Sequence, residues 1–452
     1  MRTTTLIFIL SGLIACGDDA EKPGGDAGTD AGTTDAAPPD AAVADAPPVH
    51  VTCAADNGGL TLPAGFCATV FADGVGRARQ IAVTPTGRVF VAVAASSNTA
   101  NDAHVLALYD ANNDGVAEQS STIGTVGGNG IAWQDGVLYV AAADRIVRYD
   151  IPDGSSTPTS ATPSIVVGGL PSDGDHTAKT VVVVGTQLYI NVGSASNACQ
   201  VDNRALHSPG VDPCTELDSR AGVWRFGLAT TGVEPLGTRI GTGMRNTNAL
   251  AIDPATMTLW GAINGRDQLH ENWPEDFTVA EDKLLPSDEL VSVTAGTDRG
   301  WPYCYHDAAA RQMKLAPEYG GDGTMQGRCT AIAEPEVAIP AHSAPLAIAF
   351  ARGTQFPEAY RNGVFVSNHG SRFDDNAAAA DLHGYDVEFA KFENGAPTGT
   401  LVKFATGFDA GMRPLPDSAP HRPVGLATMP DGSLLIGDDK GGRIWRVYYP
   451  GS

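Results

Sequence analysis

The chain has 452 residues, a net charge of −23 and a hydrophobic share of 42%. This length and apolar content are sufficient for a large folded domain with a buried core. The acidic excess argues against nucleic acids and anionic membrane surfaces as partners, because a negative protein surface is repelled by both.

The first 15 residues have the features of a bacterial lipoprotein signal peptide. Arg2 precedes a short apolar run, and Leu13-Ile14-Ala15 stands directly before Cys16. The run is far shorter than the ~20 apolar residues that a membrane-spanning helix needs. We therefore expect an exported protein whose membrane contact is a lipid on Cys16, facing the periplasm or the cell surface. An ordinary signal peptide followed by an unmodified cysteine is the alternative.

Residues 16–52 are predicted to be the lipidated cysteine and a flexible acidic tether. Almost every residue from 17 to 50 is Gly, Asp, Ala, Thr or Pro, and none is Phe, Tyr or Trp. Such a segment cannot bury enough apolar surface to offset the entropy lost on ordering. The folded domain is expected over residues 53–452.

The cysteines other than Cys16 fall into three pairs along the chain. These are Cys53 with Cys67, Cys199 with Cys214, and Cys304 with Cys329. Export to an oxidising compartment favours disulfides, and locally closed loops are the expected arrangement, although the sequence leaves the connectivity open. No pair has CxxC spacing, which argues against a zinc or redox site.

A two-strand unit recurs six times in the folded part. Each copy has a short apolar run, a turn rich in Pro, Asp or Gly, and a second run of alternating β-formers. The copies begin near residues 81, 131, 181, 250, 346 and 426. Repeated units of this kind predict an all-β, six-bladed β-propeller. An array of β-sandwiches is the alternative, but it would not need near-identical hairpins in every unit.

Polar clusters flank these hairpins. Loops from all blades of a propeller meet at one end of the central channel, so residues from distant parts of the chain can form one site there. The clusters are Asp175-His176, residues 243–246 with 264–267, residues 286–290 with 300–304, and residues 369–372 with 421–425 and 438–442.

The motifs, taken in order, resemble those of soluble quinoprotein sugar dehydrogenases, particularly the L-sorbosone dehydrogenase type. The resemblance covers residues 60 to 449, and the shared order of the motifs carries it. They include Leu-Pro-Ala-Gly-Phe at 62–66, Gly-Met-Arg-Asn at 243–246, Asn-Gly-Arg-Asp at 264–267, Gly-Trp-Pro-Tyr-Cys at 300–304, His-Ser-Ala-Pro at 342–345 and Asp-Asp-Lys-Gly-Gly at 438–442.

The resemblance implies a dehydrogenase that uses pyrroloquinoline quinone (PQQ) and Ca²⁺. It would oxidise a sugar, a sorbosone-like sugar aldehyde or a related alcohol by hydride transfer to PQQ, and would pass the electrons to an acceptor that the sequence does not identify. His176 stands at the family's base position, and Arg245 would stabilise charge on the quinone oxygen.

Further roles follow from the same resemblance. Oxygen ligands suit Ca²⁺, and the loop Gly265, Arg266 and Asp267 matches the family's calcium-binding loop. Guanidinium groups suit the carboxylates of PQQ. The expected cofactor-binding residues are Arg245, Asn246, His369, Arg372, Arg422 and Lys440.

Some positions depart from the family pattern. Ser194 stands where glucose-oxidising relatives have an acid that orients the base, so glucose is not the expected substrate. Ile263 replaces an Asp, Val291 replaces an Asn, and the segment containing Arg372 is altered. Taken singly, His176 also fits a structural loop histidine, and Arg245 with Asn246 fits a residue pair that satisfies backbone carbonyls.

Two other functions remain open at this stage. One is a non-catalytic propeller lipoprotein that binds a glycan or a protein at the cell surface. The other is a metal-dependent propeller lactonase, with Asp267, Asp288 or Asn246 as side-chain ligands. The turn from Asp110 to Gly115 has the spacing of a calcium loop, but Ser121 replaces the expected final Glu, so we interpret it as a blade-edge turn.

Overall fold

The computed structural model describes residues 51–95, 103–228, 237–371, 383–411 and 418–451. The predicted signal peptide, nearly all of the predicted tether and the candidate residue Arg372 lie outside these ranges, so their assignments stay predictions. Within these ranges, no helix combines the length and the apolar character needed to cross a membrane.

The described chain forms the six sheets of a six-bladed β-propeller and a separate two-stranded hairpin, so the predicted fold is confirmed. The first strand, which belongs to blade 6, and the strands of blades 1 to 3 are β1 Cys67–Ala72; β2 Ala78–Val83, β3 Val89–Val93, β4 His104–Tyr109, β5 Gln119–Ile123; β6 Gly130–Gln134, β7 Val137–Ala141, β8 Ile146–Asp150, β9 Ser164–Val167; β10 Val181–Val184, β11 Gln187–Val192, β12 Gly222–Gly227 and β13 Thr238–Thr242.

Blades 4 to 6 follow the same plan with longer connections. Their strands are β14 Ala249–Ile252, β15 Leu259–Ile263, β16 Asp288–Val293, and β20 Val337–Ile339; β21 Pro345–Phe350, β22 Gly363–Asn368, β23 Asp386–Glu393, β24 Ala396–Pro397, β25 Val402–Ala405; β26 Pro423–Thr428, β27 Leu434–Asp438 and β28 Ile444–Tyr448. The six repeated hairpins of the sequence are the first two strands of the six blades.

The long connections of blade 4 carry most of the other elements. They contain α1 Leu269–Asn272, α2 Val279–Asp282, β17 Thr297–Asp298 and the hairpin of β18 Cys304–Asp307 with β19 Gln312–Leu315. β17 pairs in parallel with β13 and so links this insertion to blade 3. The 3₁₀ turns of the described chain are Asn57–Gly59, Thr215–Asp218, Pro317–Tyr319, Gly327–Ala331 and Glu358–Tyr360.

The inner strands of each blade bury both faces, and each face packs on a different neighbour. In β15, Leu259 and Ile263 join the cluster shared with blade 3, whereas Trp260 and Ala262 join the cluster shared with blade 5. Successive side chains of a strand point to opposite faces, which explains this division. One such apolar cluster fills each of the six junctions between blades.

The ring is closed by the pairing of β1 with β28. Cys67 lies opposite Tyr448, and Thr69 lies opposite Arg446. The outermost strand of blade 6 therefore comes from the start of the folded domain, and its other three strands come from the end. The repeat pattern did not predict this strand, because β1 stands alone in the sequence without a hairpin partner.

The three local cysteine pairs form disulfides, as expected. The bonds join Cys53 to Cys67, Cys199 to Cys214 and Cys304 to Cys329. The second bond closes a loop of blade 3 and the third closes the insertion in blade 4. Such bonds stabilise a fold mainly by restricting the unfolded chain.

The junction between blades 5 and 6 offers a test of the packing. Phe365 is 1% exposed and lies within 6 Å, centroid to centroid, of Phe356, Phe389 and Phe404. We expect Phe365→Ala to lower the free energy of unfolding by about 3–5 kcal/mol, since it leaves a cavity. Urea unfolding would measure this, with Val402→Ala at an exposed site as control. Equal losses for both variants would contradict the assigned core.

Candidate active site

A cavity of about 220 Å³ lies at one end of the central channel. Its walls come from loops next to the first three strands of blades 3 to 6, at the strand ends that share one face of the propeller. The lining residues are His176, Arg245, Asn246, Asn264, Gly265, Asp267, Asp288, His342, Ala344, Gly370 and Arg422. Residues that are far apart in the sequence thus meet in a single site.

The channel itself, with a volume of about 540 Å³, is lined by the first strands of all six blades. Side-chain hydrogen bonds link these strands at residues that are close in sequence to the cavity lining. Gln80 Nε2 donates to Leu346 O at 2.5 Å, and Thr180 Oγ1 donates to Asn248 O at 2.6 Å. These bonds join blade 1 to blade 5 and blade 3 to blade 4.

His176 lies in the loop before β10, and its ring is fixed by Ser194. The Nδ1 atom lies 2.9 Å from Ser194 Oγ and 3.1 Å from the carbonyl oxygen of Ser194. Ser194 Oγ donates its own proton to Ser196 O at 2.7 Å, so it can only accept from the ring. The ring proton is therefore assigned to Nδ1, which leaves the lone pair on Nε2.

His176 is neutral at physiological pH. Burial, followed by the positive charge of Arg245, lowers the pKa of the imidazole from 6.5 to about 3. The nearby carboxylates of Asp267 and Asp175 act in the opposite direction but are outweighed. The ring can therefore accept a proton at Nε2 without first having to lose one.

All five N–H groups of Arg245 are engaged by protein atoms. Nε donates to Asn197 O at 3.0 Å, and Nη2 donates to Asn197 Oδ1 at 3.0 Å and Asp267 Oδ2 at 3.1 Å. Nη1 donates to the carbonyl oxygens of Asn264 at 3.4 Å and Gly265 at 2.6 Å. The guanidinium thus holds the carbonyl of Gly265, which the resemblance assigns to calcium.

The loop from Gly265 to Asp267 presents its backbone to the cavity. The Arg266 side chain turns away and pairs with buried Glu318, which leaves only its backbone for a metal. Asp267 Oδ2 is shared by Arg245 at 3.1 Å and Arg204 at 3.3 Å. A Cβ at Gly265 would lie 3.0 Å from Pro286 Cγ and 3.1 Å from Ser287 O, so the close approach of this loop favours glycine.

Oxygen donors are concentrated beside this loop. The side-chain oxygens of Asn246 and Asn264 are buried and have no hydrogen-bond partner in the described part of the chain. Asp288 accepts from Gly265 N at 2.7 Å and Ala344 N at 2.8 Å. Burial raises the pKa of Asp288 to about 6 against the effect of these amides. Unpaired amide oxygens and a carboxylate are the chemistry that a hard cation prefers.

His342, the first residue of the His-Ser-Ala-Pro motif before blade 5, also lines the cavity. Its Nε2 bonds to Asp282 O at 2.7 Å, and its Nδ1 lies 3.8 Å from Asp267 Oδ1. Burial alone lowers the pKa of His342, but the hydrogen bond and charge of Asp267 outweigh it and raise the value.

The cofactor-binding candidates of blades 5 and 6 separate into two groups. Arg422 lines the cavity, where Nε donates to His369 O at 3.0 Å and Nη2 donates to Gly370 O at 2.7 Å. The His369 ring bonds to Asp439 at 2.8 Å. Neither His369 nor Lys440 is among the lining residues, and Lys440 is exposed. Arg422 thus lies in the cavity lining, whereas the His369 backbone carbonyl holds its guanidinium.

The acidic turn after β4 remains a blade-edge turn. Asp110, Asp114 and Glu118 bring one carboxylate oxygen each within 4.8 Å of the others. Asp110 is paired with Arg446 at 3.0 Å, and its oxygens also accept from the amides of Asp114 and Gly115. The carboxylate of Asp110 is therefore already paired with an arginine of blade 6.

Sequence reasoning did not find Asn197 and Arg204, which both support the site. Arg204 links Asp175, next to His176, with Asp267 at N–O distances of 3.0 Å and 3.3 Å. Both residues lie in the loop between β11 and β12. The polar run Ser194-Ala-Ser-Asn197, directly after the third hairpin, was the available signal.

The burial of His176 predicts an acid-side loss of stability. The folded pKa of about 3 lies below the ordinary value of 6.5, so the unfolded state binds the proton first as the pH falls. This contribution to stability is complete above about pH 6.5 and is lost toward pH 3. Urea unfolding between pH 7 and 4 should show a steeper fall for the wild type than for His176→Gln. Parallel curves would refute the burial; His207→Gln, at an exposed histidine, is the control.

Solved structures of other proteins share this fold. A Trichoderma reesei protein of carbohydrate-active enzyme family AA12 matches with a TM-score of 0.70 and 20% identity, covering 88% of this chain and 98% of its own. The PQQ domain of a Coprinopsis cinerea pyranose dehydrogenase, in its holo form, matches with a TM-score of 0.67 and 18% identity, over 86% and 97% of the two chains.

Sequence comparison agrees. A PQQ-dependent sugar dehydrogenase of Hypocrea jecorina is 23% identical over 348 residues, which cover 70% of this chain and 73% of that protein. The model of the TrAA12-like family matches residues 60–450, nearly the whole folded domain. The resemblance predicted from the order of the motifs is confirmed, and the chain belongs to the TrAA12-like family.

Proposed function

We propose that the protein is a PQQ- and calcium-dependent dehydrogenase that oxidises a sugar, a sugar aldehyde or a related alcohol. Its broad class, an oxidoreductase of the quinoprotein sugar dehydrogenase type, follows from the family. The observation that carries the finer proposal is that His176, Arg245 and Arg422 line one cavity at the end of the channel. A base suits the removal of a proton from the substrate, and guanidinium groups suit a quinone cofactor that carries carboxylates.

The cavity residues fit PQQ by their chemistry. Arg422 offers positive charge for its carboxylates, Arg245 offers positive charge near the quinone oxygen, and the buried, unpaired Asn246 Oδ1 offers an acceptor. Bound PQQ would supply the acceptor for the hydride of the substrate. The holo pyranose dehydrogenase domain supports this assignment, because it shares the fold and binds this cofactor.

The loop beside Arg245 fits calcium. The carbonyl oxygens of Gly265 and Arg266 would hold the ion, and the unpaired Asn264 Oδ1 lies in the same wall. Ca²⁺ would supply Lewis acidity and offset negative charge. Gly265 O already accepts from Arg245 Nη1 at 2.6 Å, and its second lone pair would be the one that faces the ion. A calcium structure of a Trichoderma reesei AA12 protein supports a role for this ion.

His176 acts as the proton acceptor in this proposal. Its Nε2 lone pair is available because Ser194 holds the proton on Nδ1. A negatively charged cofactor beside the ring would raise the low pKa of about 3 toward the working range of a general base. A hydroxyl in the cavity can then lose its proton to Nε2 as its carbon is oxidised.

The sequence-predicted localisation completes the proposal. Lipidation at Cys16 would keep the propeller near a membrane, and the acidic tether would let it reach an electron acceptor there. We propose a sugar or sugar aldehyde as substrate, in line with the sugar dehydrogenase of Hypocrea jecorina. Ser194 at the orienting position makes glucose the less suitable member of that class.

One observation favours a second candidate. Asp267, Asp288, Asn246 and Asn264 line the same cavity, and such side chains could bind a cation without any quinone. A calcium-dependent lactonase would use them. Lactone hydrolysis with Ca²⁺ alone, without bound PQQ, would decide for this candidate.

Reconstitution tests the dehydrogenase. Purified protein given PQQ and Ca²⁺ should reduce a dye when aldoses or sorbosone-like aldehydes are added. His176→Gln should bind PQQ but lose about 10²–10⁴-fold in turnover, because the proton acceptor is gone. His207→Gln serves as control. The absence of both PQQ binding and dye reduction in the wild type would overturn the proposal.

Chelation tests the metal. Treatment with EDTA should weaken PQQ binding, and added Ca²⁺ should restore it, because the ion balances charge between the loop and the cofactor. Absorbance titration of PQQ before and after dialysis measures this. Unchanged PQQ affinity in chelator would contradict the proposed role of the ion.

A further inference from the structure

Asn197 connects the two halves of the candidate site. It lies in the loop after the third hairpin, three residues beyond Ser194 and two residues before Cys199, and its exposure is 0%. It belongs to the polar run directly after the third hairpin, but none of the motifs named in the sequence includes it. Its contacts reach Arg245 on one side and the backbone of Asp267 on the other.

The Asn197 side chain pairs with the backbone of Asp267 in both directions. Nδ2 donates to Asp267 O at 2.8 Å, and Oδ1 accepts from Asp267 N at 2.9 Å. Oδ1 also accepts from Arg245 Nη2 at 3.0 Å. The reversed amide would set donors against donors, so these contacts fix the orientation of the amide.

The backbone of Asn197 adds further bonds. Its carbonyl oxygen accepts from Arg245 Nε at 3.0 Å and from Trp301 Nε1 at 2.9 Å. Its amide donates to Asn203 Oδ1 at 2.9 Å. One residue therefore touches the guanidinium through two atoms and the metal-candidate loop through two atoms.

The loop around Asn197 is itself held in place. Glu216 accepts from the amide of Ala195 at 2.6 Å and also bonds to the Ser196 hydroxyl. The disulfide between Cys199 and Cys214 closes the loop two residues further on. Asn197 is thus fixed against blade 3 while it contacts a loop of blade 4.

We propose that Asn197 is a positioning residue that sets the register between the Arg245 guanidinium and the Gly265–Asp267 loop. Arg245 and the carbonyls of that loop must approach the same cofactor and ion, so a small error between them would weaken both contacts. Groups that orient ligands from behind typically change affinity or activity 10–100-fold when removed. This inference rests on the proposed function for the identity of the cofactor.

Asn197→Ala should weaken PQQ binding about 10–100-fold in the presence of Ca²⁺, measured by absorbance titration. Asn197→Asp keeps the acceptor for Arg245 and for the Asp267 amide but loses one donor, so it should recover part of the affinity. Asn191→Ala is the matched control, since Asn191 is also 0% exposed in blade 3 but bonds to Thr180, Ala178 and Asn248.

A second measurement does not depend on the cofactor. In Asn197→Ala, the Asp267 amide loses the Oδ1 acceptor and should exchange its proton faster with solvent, whereas Asn197→Asp and Asn191→Ala should leave it slow. Faster exchange with unchanged PQQ affinity would overturn the positioning role, and unchanged exchange would overturn the contact. If the wild type binds no PQQ, the proposed function fails. Faster exchange of the Asp267 amide in Asn197→Ala, but not in the other two variants, would then still support the role of Asn197 in holding the loop in register.

Discussion

The structure depends on the burial of both faces of each blade's inner strands against two different neighbours. In the described chain the inner strands of each blade pack on neighbours on both sides, so their apolar surface is removed from water only when the ring is complete. The six junction clusters are therefore parts of a single closed arrangement. The pairing of β1 with β28 completes that arrangement, because it gives blade 6 its outer strand.

Ring closure also explains where the site lies. Antiparallel blades bring the start of each first strand and the end of each second strand to one face, around a common axis. Polar residues at those strand ends cannot pack into the junctions and meet over the channel instead. The loops that carry His176 of blade 3, Gly265 of blade 4, Gly370 of blade 5 and Arg422 of blade 6 therefore line one cavity.

The sequence predicted the features that depend on local pattern. Period-two hairpins gave the blades, the spacing of cysteines gave the disulfides, and polar clusters at the hairpin ends gave His176, Arg245 and Arg422. It did not predict β1 in blade 6 or the contacts of Asn197 with Asp267, because these join residues far apart in the chain without a local signature. His369 and Lys440 came from the same polar clusters, but the described structure places them outside the cavity lining.

The strand that closes the ring has a consequence for the order of synthesis. β1 is made first and its partner β28 is made last, so the outer edge of blade 6 stays unpaired until almost the entire domain exists. Contacts of such long sequence separation form slowly, and an open strand edge is prone to pair with other chains. A chain of this topology therefore keeps its leading strand unpaired until synthesis is nearly complete, and loss of its final strand would open the whole ring.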